Sequence, residues 1–373
     1  MALINYLARI QFDFGAIALL GEELAALGVR RPLIVTDAGL AASPILERAK
    51  AALAPGMTAA LFTGTPMNPT ERAVKAALAQ YQGEGCDGVV ALGGGSPIDL
   101  MKAVALLASQ GGALDEYLVT KGGMARIKPL AVPTLAIPTT AGSGAEVGRA
   151  SVVILETGRK SVLGSLFLIP KTVICDPELV LGLPAWLSAA TGMDAITHCV
   201  ETYLSPTVNP PAAALGMDAL ARAAAWIERS TADGADRQGR WEMMMAALMA
   251  GMTFQKGLGA VHALTMPLGE LGLHHGQANA ILLPAVLRYN ADHVGTKYDD
   301  LRRVLGLPTG TDLARWTADL NARLVIPSGL GALKLDRAQI PAMAALALPD
   351  NASRTNPRPP TQEGYEEILR QSW

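Results

Sequence analysis

The sequence predicts an α/β nucleotide-binding domain built on a parallel sheet, followed by an all-helical domain. Three observations carry this. Short apolar β runs alternate with amphipathic helical segments through the first half of the chain. A glycine-rich turn, Gly93–Ser96, stands directly between a strand and a helix. Near residue 180 the texture changes, and long Ala-, Met- and Leu-rich segments at helical spacing take over. The division is placed at 1–180 and 181–373, and 373 residues suit two domains.

Taken in order, residues 16–28 have the spacing of an amphipathic helix that stops at Gly28. The apolar run Leu33–Val35 ends in Thr36 and Asp37, as a buried parallel strand does at the edge that meets a ligand. Residues 43–54 read as helix, 59–62 as strand, 71–82 as helix, and 87–92 as a strand running into GGGSPIDLMKAVALLA. TLAIP at 134–138 is a further strand. In the second half, segments 210–229, 240–254, 276–289, 311–323, 336–348 and 361–371 read as helices, the last after a Pro-rich loop. Met243, Met244, Met245, Met249 and Met252 fall at helical spacing and read as core filler rather than a thioether site.

The turn Gly93–Ser96 is a candidate phosphate site. Glycines let backbone approach a ligand and adopt positive φ, and a helix opening there presents free N–H groups to an anion. Ser96 reads as the N-cap, Pro97 as first-turn proline and Asp99 as the capping-box partner. The pattern is not G-x-G-x-x-G, so the ordinary dinucleotide fingerprint is not claimed. A second small polar loop follows strand 134–138, with Thr139, Thr140, Gly142 and Gly144. Two such loops and an acidic residue closing the first strand suit a dinucleotide. Asp37 either accepts from the adenosine ribose or caps a local turn; in the first case a 2′-phosphate meets like charge, and NAD is preferred over NADP.

The second chemical cluster lies in TGMDAITHCVETYLS at 191–205 and HALTMPLGELGLHHG at 262–276. Asp194 and His198, four apart on a helix, share a face with Cβ atoms about 5–6 Å apart. Four of the five histidines of the chain sit in these two stretches. Asp194, His198, His262 and His275 form one carboxylate and three imidazoles, a ligand set for zinc or ferrous iron. A lone Asp–His pair is more often a hydrogen-bonded core pair; the later His pair in a polar-poor setting is what raises the metal reading.

Composition narrows the rest. Net charge is −2 with only 17% charged residues, and no basic run or aromatic–basic patch calls for nucleic acid. Apolar runs end at about ten residues, too short for a membrane span. The first fifteen residues lack the features of a secretory signal peptide. Cys86, Cys175 and Cys199 are unpatterned, which suits a reducing cytoplasm.

Together the motifs resemble the iron-containing (group III) alcohol dehydrogenase family. The matching stretches are VTDAGL at 35–40, GGGSPIDLMK at 93–102, PTTAGSGAEV at 138–147, DPEL at 176–179, GMDAITHCVETYLS at 192–205, the HALTMPLG…HHGQANAILLP segment and NPRP at 356–359. The resemblance implies a dehydroquinate synthase-like architecture, an alcohol–aldehyde oxidoreductase using NAD and Fe2+ (or Zn2+), and a homodimer, with the active site in the cleft between the domains. It implies Asp194, His198, His262 and His275 as metal ligands, and Gly94, Gly95 and Ser96 at the pyrophosphate. Asp99, Thr139, Thr140 and Ser143 would line the nicotinamide side, Asp37 would hold the ribose, and Lys160 would stand near the cofactor.

One departure bears on proton transfer. Family members often carry a histidine four residues after the third metal ligand; Met266 stands there, so the proton would leave through ribose hydroxyls, water or His274. His274 also competes with His275 as ligand, and His275 is favoured because it abuts Gly276. Rival functions are a metal-independent maleylacetate reductase-like enzyme, which would not need the Asp/His set, and a dehydroquinate synthase-like lyase, which would need polar and basic residues where Met266, Leu271 and Leu273 stand. A catalytically silent nucleotide-binding protein is the third.

Overall fold

The computed structural model describes residues 8–373. The signal-peptide reading of the N-terminus lies, for its first seven residues, outside the described residues. The chain divides into two compact units, one ending at Leu181 and one running from Gly182 to Trp373.

Among the described residues the first unit holds eight strands: β1 (Arg9–Phe12), β2 (Pro32–Val35), β3 (Ala60–Phe62), β4 (Gly88–Gly93), β5 (Thr134–Pro138), β6 (Ala150–Ile154), β7 (Lys160–Gly164) and β8 (Thr172–Cys175). Its main helices are α1 (Leu20–Ala26), α2 (Ala38–Ala41), α3 (Pro44–Ala51), α4 (Glu71–Gly83) and α5 (Gly95–Gln110). Six strands form one sheet in the order β1-β8-β5-β4-β2-β3, with every pairing parallel. Period-two alternation sends successive residues to opposite faces. Leu33, Val35, Val89, Ala91 and Ala136 join one core, with Val74 and Ala77 of α4 and Leu100 and Val104 of α5. Ile34, Val90, Leu92, Leu135 and Ile137 join the other, with Leu20 and Leu24 of α1 and Leu46 of α3. Both faces are therefore covered, as a parallel sheet requires, and the expected α/β class is what the chain forms.

The strands read from the sequence are β2 to β5. Those missed are the edge strand β1, its neighbour β8 and the antiparallel hairpin β6–β7. β1 is only partly buried, so it carries no apolar run to read. The helix expected over 16–28 is a 3-10 turn, Ala16–Leu19, followed by α1.

The second unit is helical: α6 (Ala185–Leu204), α7 (Pro210–Ala232), α8 (Arg237–Met252), α9 (Ala260–Glu270), α10 (His275–Asn290), α11 (Lys297–Val304), α12 (Leu313–Arg323), α13 (Ile340–Ala347) and α14 (Gln362–Gln371). The periodic segments correspond to α7, α8, α10, α12, α13 and α14; α9 and α11 were not singled out. Segment 336–348 begins as a 3-10 turn at Arg337–Gln339 rather than as helix. Met243 and Met244 are buried core.

Helix α6 is central and packs on α7, α8 and α10. It is buried without a break from Ser188 to Thr202. Its threonine hydroxyls donate to carbonyls one turn back: Thr197 to Met193 O at 2.7 Å and Thr202 to His198 O at 2.7 Å. Buried polar groups are thereby satisfied within the helix. Gly276 decides how α10 meets α6. A Cβ at this position would lie 2.3 Å from Ala190 O, so only glycine lets the first turn of α10, with His275, come that close.

Candidate functional site

In the first unit, β2, β4 and β5 are neighbours, and their carboxyl ends lead into Thr36–Asp37, Gly93–Ser96 and Thr139–Ser143. The edge just beyond the carboxyl ends is where parallel sheets bind ligands. The two glycine-linked loops touch. A Cβ on Gly94 would stand 3.2 Å from Thr140 Oγ1, and one on Gly95 would stand 3.1 Å from Ser143 Cβ. Thr139 N–H donates to Gly93 O at 3.0 Å. A Cβ at 94 or 95 would crowd this approach, although neither position has positive φ: Gly94 has φ −75, and Gly95 is already helical.

Two expectations about this turn are corrected. The N-cap is Gly94, not Ser96. Ser96 lies inside the helix, and its hydroxyl donates to Met67 O. Asp99 therefore caps nothing. It is 3.9 Å from Lys102 Nζ, one helical turn away. Burial raises Asp99 to about 6, against the pull of Lys102, the Val152 N–H and Lys160. Asp37 is the N-cap of α2, accepting from Leu40 N at 3.0 Å. Lys160 opens β7 and donates to Asn68 Oδ1 at 3.0 Å.

Sequence reading passed over Lys102, which organises the second loop. It is fully buried and donates to Ala145 O at 2.7 Å, Gly148 O at 2.8 Å and Ala150 O at 2.7 Å. Three donors meet three carbonyls, which uses every N–H of an ammonium. Burial lowers Lys102 to about 8, with Asp99 and Glu146 opposing. Glu146, also buried, is raised by burial to about 7.

In the second unit, one carboxylate gathers the imidazoles. Asp194 Oδ1 lies 3.5 Å from His198 Nε2, 3.7 Å from His262 Nε2 and 3.8 Å from His275 Nε2. Ligand atoms of Asp194, His262 and His275 all fall within 4.8 Å of one another. His198 stands beside this triad, stacked on His262 at 4.5 Å between ring centroids, with Phe254 edge-on at 4.7 Å. Donors bound at 2.0–2.2 Å in a tetrahedron stand about 3.4 Å apart, so the spacing around Asp194 suits a divalent ion. Burial pushes Asp194 up, but His198, His262 and His275 together hold it well below the usual carboxylate range.

Two polar side chains absent from the sequence reading complete the centre. Asn279 Nδ2 donates to Asp194 Oδ1 at 2.6 Å and lies 3.2 Å from both His262 Nε2 and His275 Nε2. This electropositive amide nitrogen marks the point on which the acceptors converge. Asn279 Oδ1, on the other side of the amide, is buried with no hydrogen-bond partner. Glu201 accepts from His262 Nδ1 at 2.6 Å. Burial lowers His262, yet Glu201 and Asp194 raise it to about 9. Helical spacing puts both on the faces of the candidate ligands. Glu201 follows Asp194 and His198 at i+7 and i+3, and Asn279 follows His275 at i+4.

His274 and His275 part company. His275 enters the cluster, while His274 is the N-cap residue of α10 and meets Trp186 edge-on at 5.5 Å. Met266 is partly buried in α9.

A doubly covered parallel sheet with linked glycine loops, and a helical unit that gathers a carboxylate and imidazoles, define a nucleotide-using, metal-assisted enzyme. The comparisons narrow that class. The family model "Iron-containing alcohol dehydrogenase" matches residues 8–177, and "Fe-containing alcohol dehydrogenase family, C-terminal" matches residues 188–373. The chain belongs to the iron-containing alcohol dehydrogenase family, and it is an NAD-dependent oxidoreductase that interconverts alcohols and carbonyl compounds by hydride transfer with a divalent metal. It is 48% identical to the 4-hydroxybutyrate dehydrogenase of Cupriavidus necator, over 100% of each chain. It is 37% identical to the lactaldehyde reductase of Escherichia coli strain K12, over 97% of each. A crystal structure of 1,3-propanediol oxidoreductase superposes with a TM-score of 0.93 at 35% identity, covering 100% of both chains. Among the described residues no helix is long and apolar enough to cross a membrane.

Proposed function

We propose that the chain oxidises a short primary alcohol with a second polar end, 4-hydroxybutyrate first, and reduces the matching aldehyde in reverse. The supporting observation is the 48% identity, end to end, with an enzyme named for that substrate. Asp194, His198, His262 and His275 are assigned to a ferrous ion, with zinc the alternative. Asp37, Gly94, Gly95, Ser96, Asp99, Thr139, Thr140, Ser143 and Lys160 are assigned to NAD. The bound ion would supply Lewis acidity to the substrate oxygen and the nicotinamide would supply the hydride acceptor.

The protein's own part is to hold these groups. Asp194 neutralises positive charge at the convergence point, and His262 and His275 offer nitrogen lone pairs there. His274, beside His275 but turned to Trp186, is assigned to handling the hydroxyl proton, which ends in water. The carbon-bound hydride goes to the nicotinamide. The buried free thiols of Cys86, Cys175 and Cys199 suit a reducing, cytoplasmic setting. A homodimer is proposed on the family likeness alone.

A panel of alcohols assayed by NADH absorbance, with anaerobically iron-loaded protein, tests the substrate. Turnover of 4-hydroxybutyrate at a kcat/KM at least about tenfold above 1,3-propanediol and simple primary alcohols is expected. Equal rates across the panel would defeat the assignment. H262A should lose metal and turnover while keeping NAD; full turnover in metal-free H262A would remove the metal from the reaction.

A further inference from the structure

Glu201 belongs to neither the ligand set nor the cofactor set, yet both of its carboxylate oxygens are committed. It is 4% exposed. Oε2 faces His262 Nδ1 at 2.6 Å, and Oε1 accepts the Val261 N–H at 2.7 Å. The second bond ties the carboxylate to the first turn of α9, the turn that carries His262. Asn356 Oδ1 accepts the neighbouring Ala260 N–H at 3.1 Å. Two otherwise free N–H groups at this helix start are therefore met by buried side chains.

An ionised carboxylate only accepts hydrogen bonds, so His262 must present Nδ1 as N–H. In the neutral ring, the form that can bind a metal ion, this leaves the lone pair on Nε2, the atom 3.7 Å from Asp194 Oδ1. Without the carboxylate, nothing in this contact prevents the proton from sitting on Nε2, where it would block ligation. The backbone makes room for the device. A Cβ on Gly259 would stand 2.8 Å from Glu201 Oε1 and 3.0 Å from Asn356 Oδ1.

We infer that Glu201 is a positioning residue that fixes His262 as the Nδ1–H tautomer and so sets the affinity of the centre for its divalent ion. This rests on the proposed metal reading of Asp194, His198, His262 and His275. Loss of such an outer hydrogen bond costs about 10–100-fold in metal affinity.

Zn2+ titration against a chromophoric chelator, on metal-free parent, E201Q and G259A chains, is the test. E201Q should bind Zn2+ about 10–100-fold more weakly, and G259A should weaken it in the same sense by displacing the carboxylate. NAD affinity should stay unchanged in both. E201Q affinity equal to that of the parent overturns the inference while leaving the metal reading standing. Parent affinity no higher than that of H262A overturns the metal reading and this inference with it. Should either variant fail to fold, 15N spectra of histidine-labelled, metal-free parent at a pH where the His262 ring is neutral decide: a ring protonated on Nδ1 supports the inference, and one protonated on Nε2 overturns it.

Discussion

Thr140 Oγ1 lies 3.2 Å from the point where a Cβ on Gly94 would stand. The turn after β4 and the loop after β5 thus meet closely, and a methyl group between them would push Thr140 aside by a few tenths of an ångström. G94A should raise the KM for NAD by about tenfold or more, since sub-ångström misplacement of a binding loop is costly. Zn2+ affinity, carried by side chains of the other unit, should not change. An unaltered KM for NAD would show that the contact between the loops does not shape the cofactor site.

Asp37 tests charge against capping. Asparagine is as good an N-cap as aspartate, so D37N should keep the bond to Leu40 N–H and cost little stability. Removing the negative charge should narrow the preference for NAD over NADP by about tenfold, because a 2′-phosphate no longer meets like charge. Kinetics with the two cofactors measure this, and an unchanged ratio would leave Asp37 as a cap and nothing more.

Glu146 should make stability depend on pH. Its folded value, about 7, lies above its ordinary value of 4.5 because of burial. Between these values the folded chain holds a proton that the unfolded chain has released, so this group's contribution to stability falls as pH rises through that window. E146Q cannot ionise. The variant should therefore gain melting temperature relative to the parent at pH 8 more than at pH 5. A constant difference between the two chains would contradict the buried, proton-holding state.

Metal removal should lower stability as well as abolish turnover. An ion held at one hundred times its Kd stabilises the folded state by about 2.7 kcal/mol if it binds only that state. Chelation should lower the Tm of the parent by a few degrees and leave that of H262A unmoved. A parent melting curve indifferent to chelator would argue against an ion at Asp194.

Much of the fold was legible because parallel strands buried on both faces must be short apolar runs, as Leu33–Val35 and Gly88–Gly93 are. Edge strand β1 and the hairpin β6–β7 were not, because a half-exposed strand has no such signature; β8, buried throughout, was missed despite its apolar run. The cluster of Asp194 with His198, His262 and His275 was visible as residue type and spacing, since imidazoles in an apolar, histidine-poor chain have few other reasons to cluster. Glu201 and Asn279 were on the right helical faces but are common residues, and spacing alone does not distinguish them from ordinary polar positions.

The sequence by itself determined the α/β-then-helical plan, the glycine turns and the candidate donors, because local periodicity and residue chemistry are properties of the chain. Only the tertiary structure brought His275 rather than His274 up to Asp194, moved the helix cap from Ser96 to Gly94, and placed Lys102 under three carbonyls. Those outcomes depend on which backbones approach closely enough to exclude a side chain, as Gly276 does against Ala190 O. That distance is set between segments far apart in sequence, where no local pattern records it.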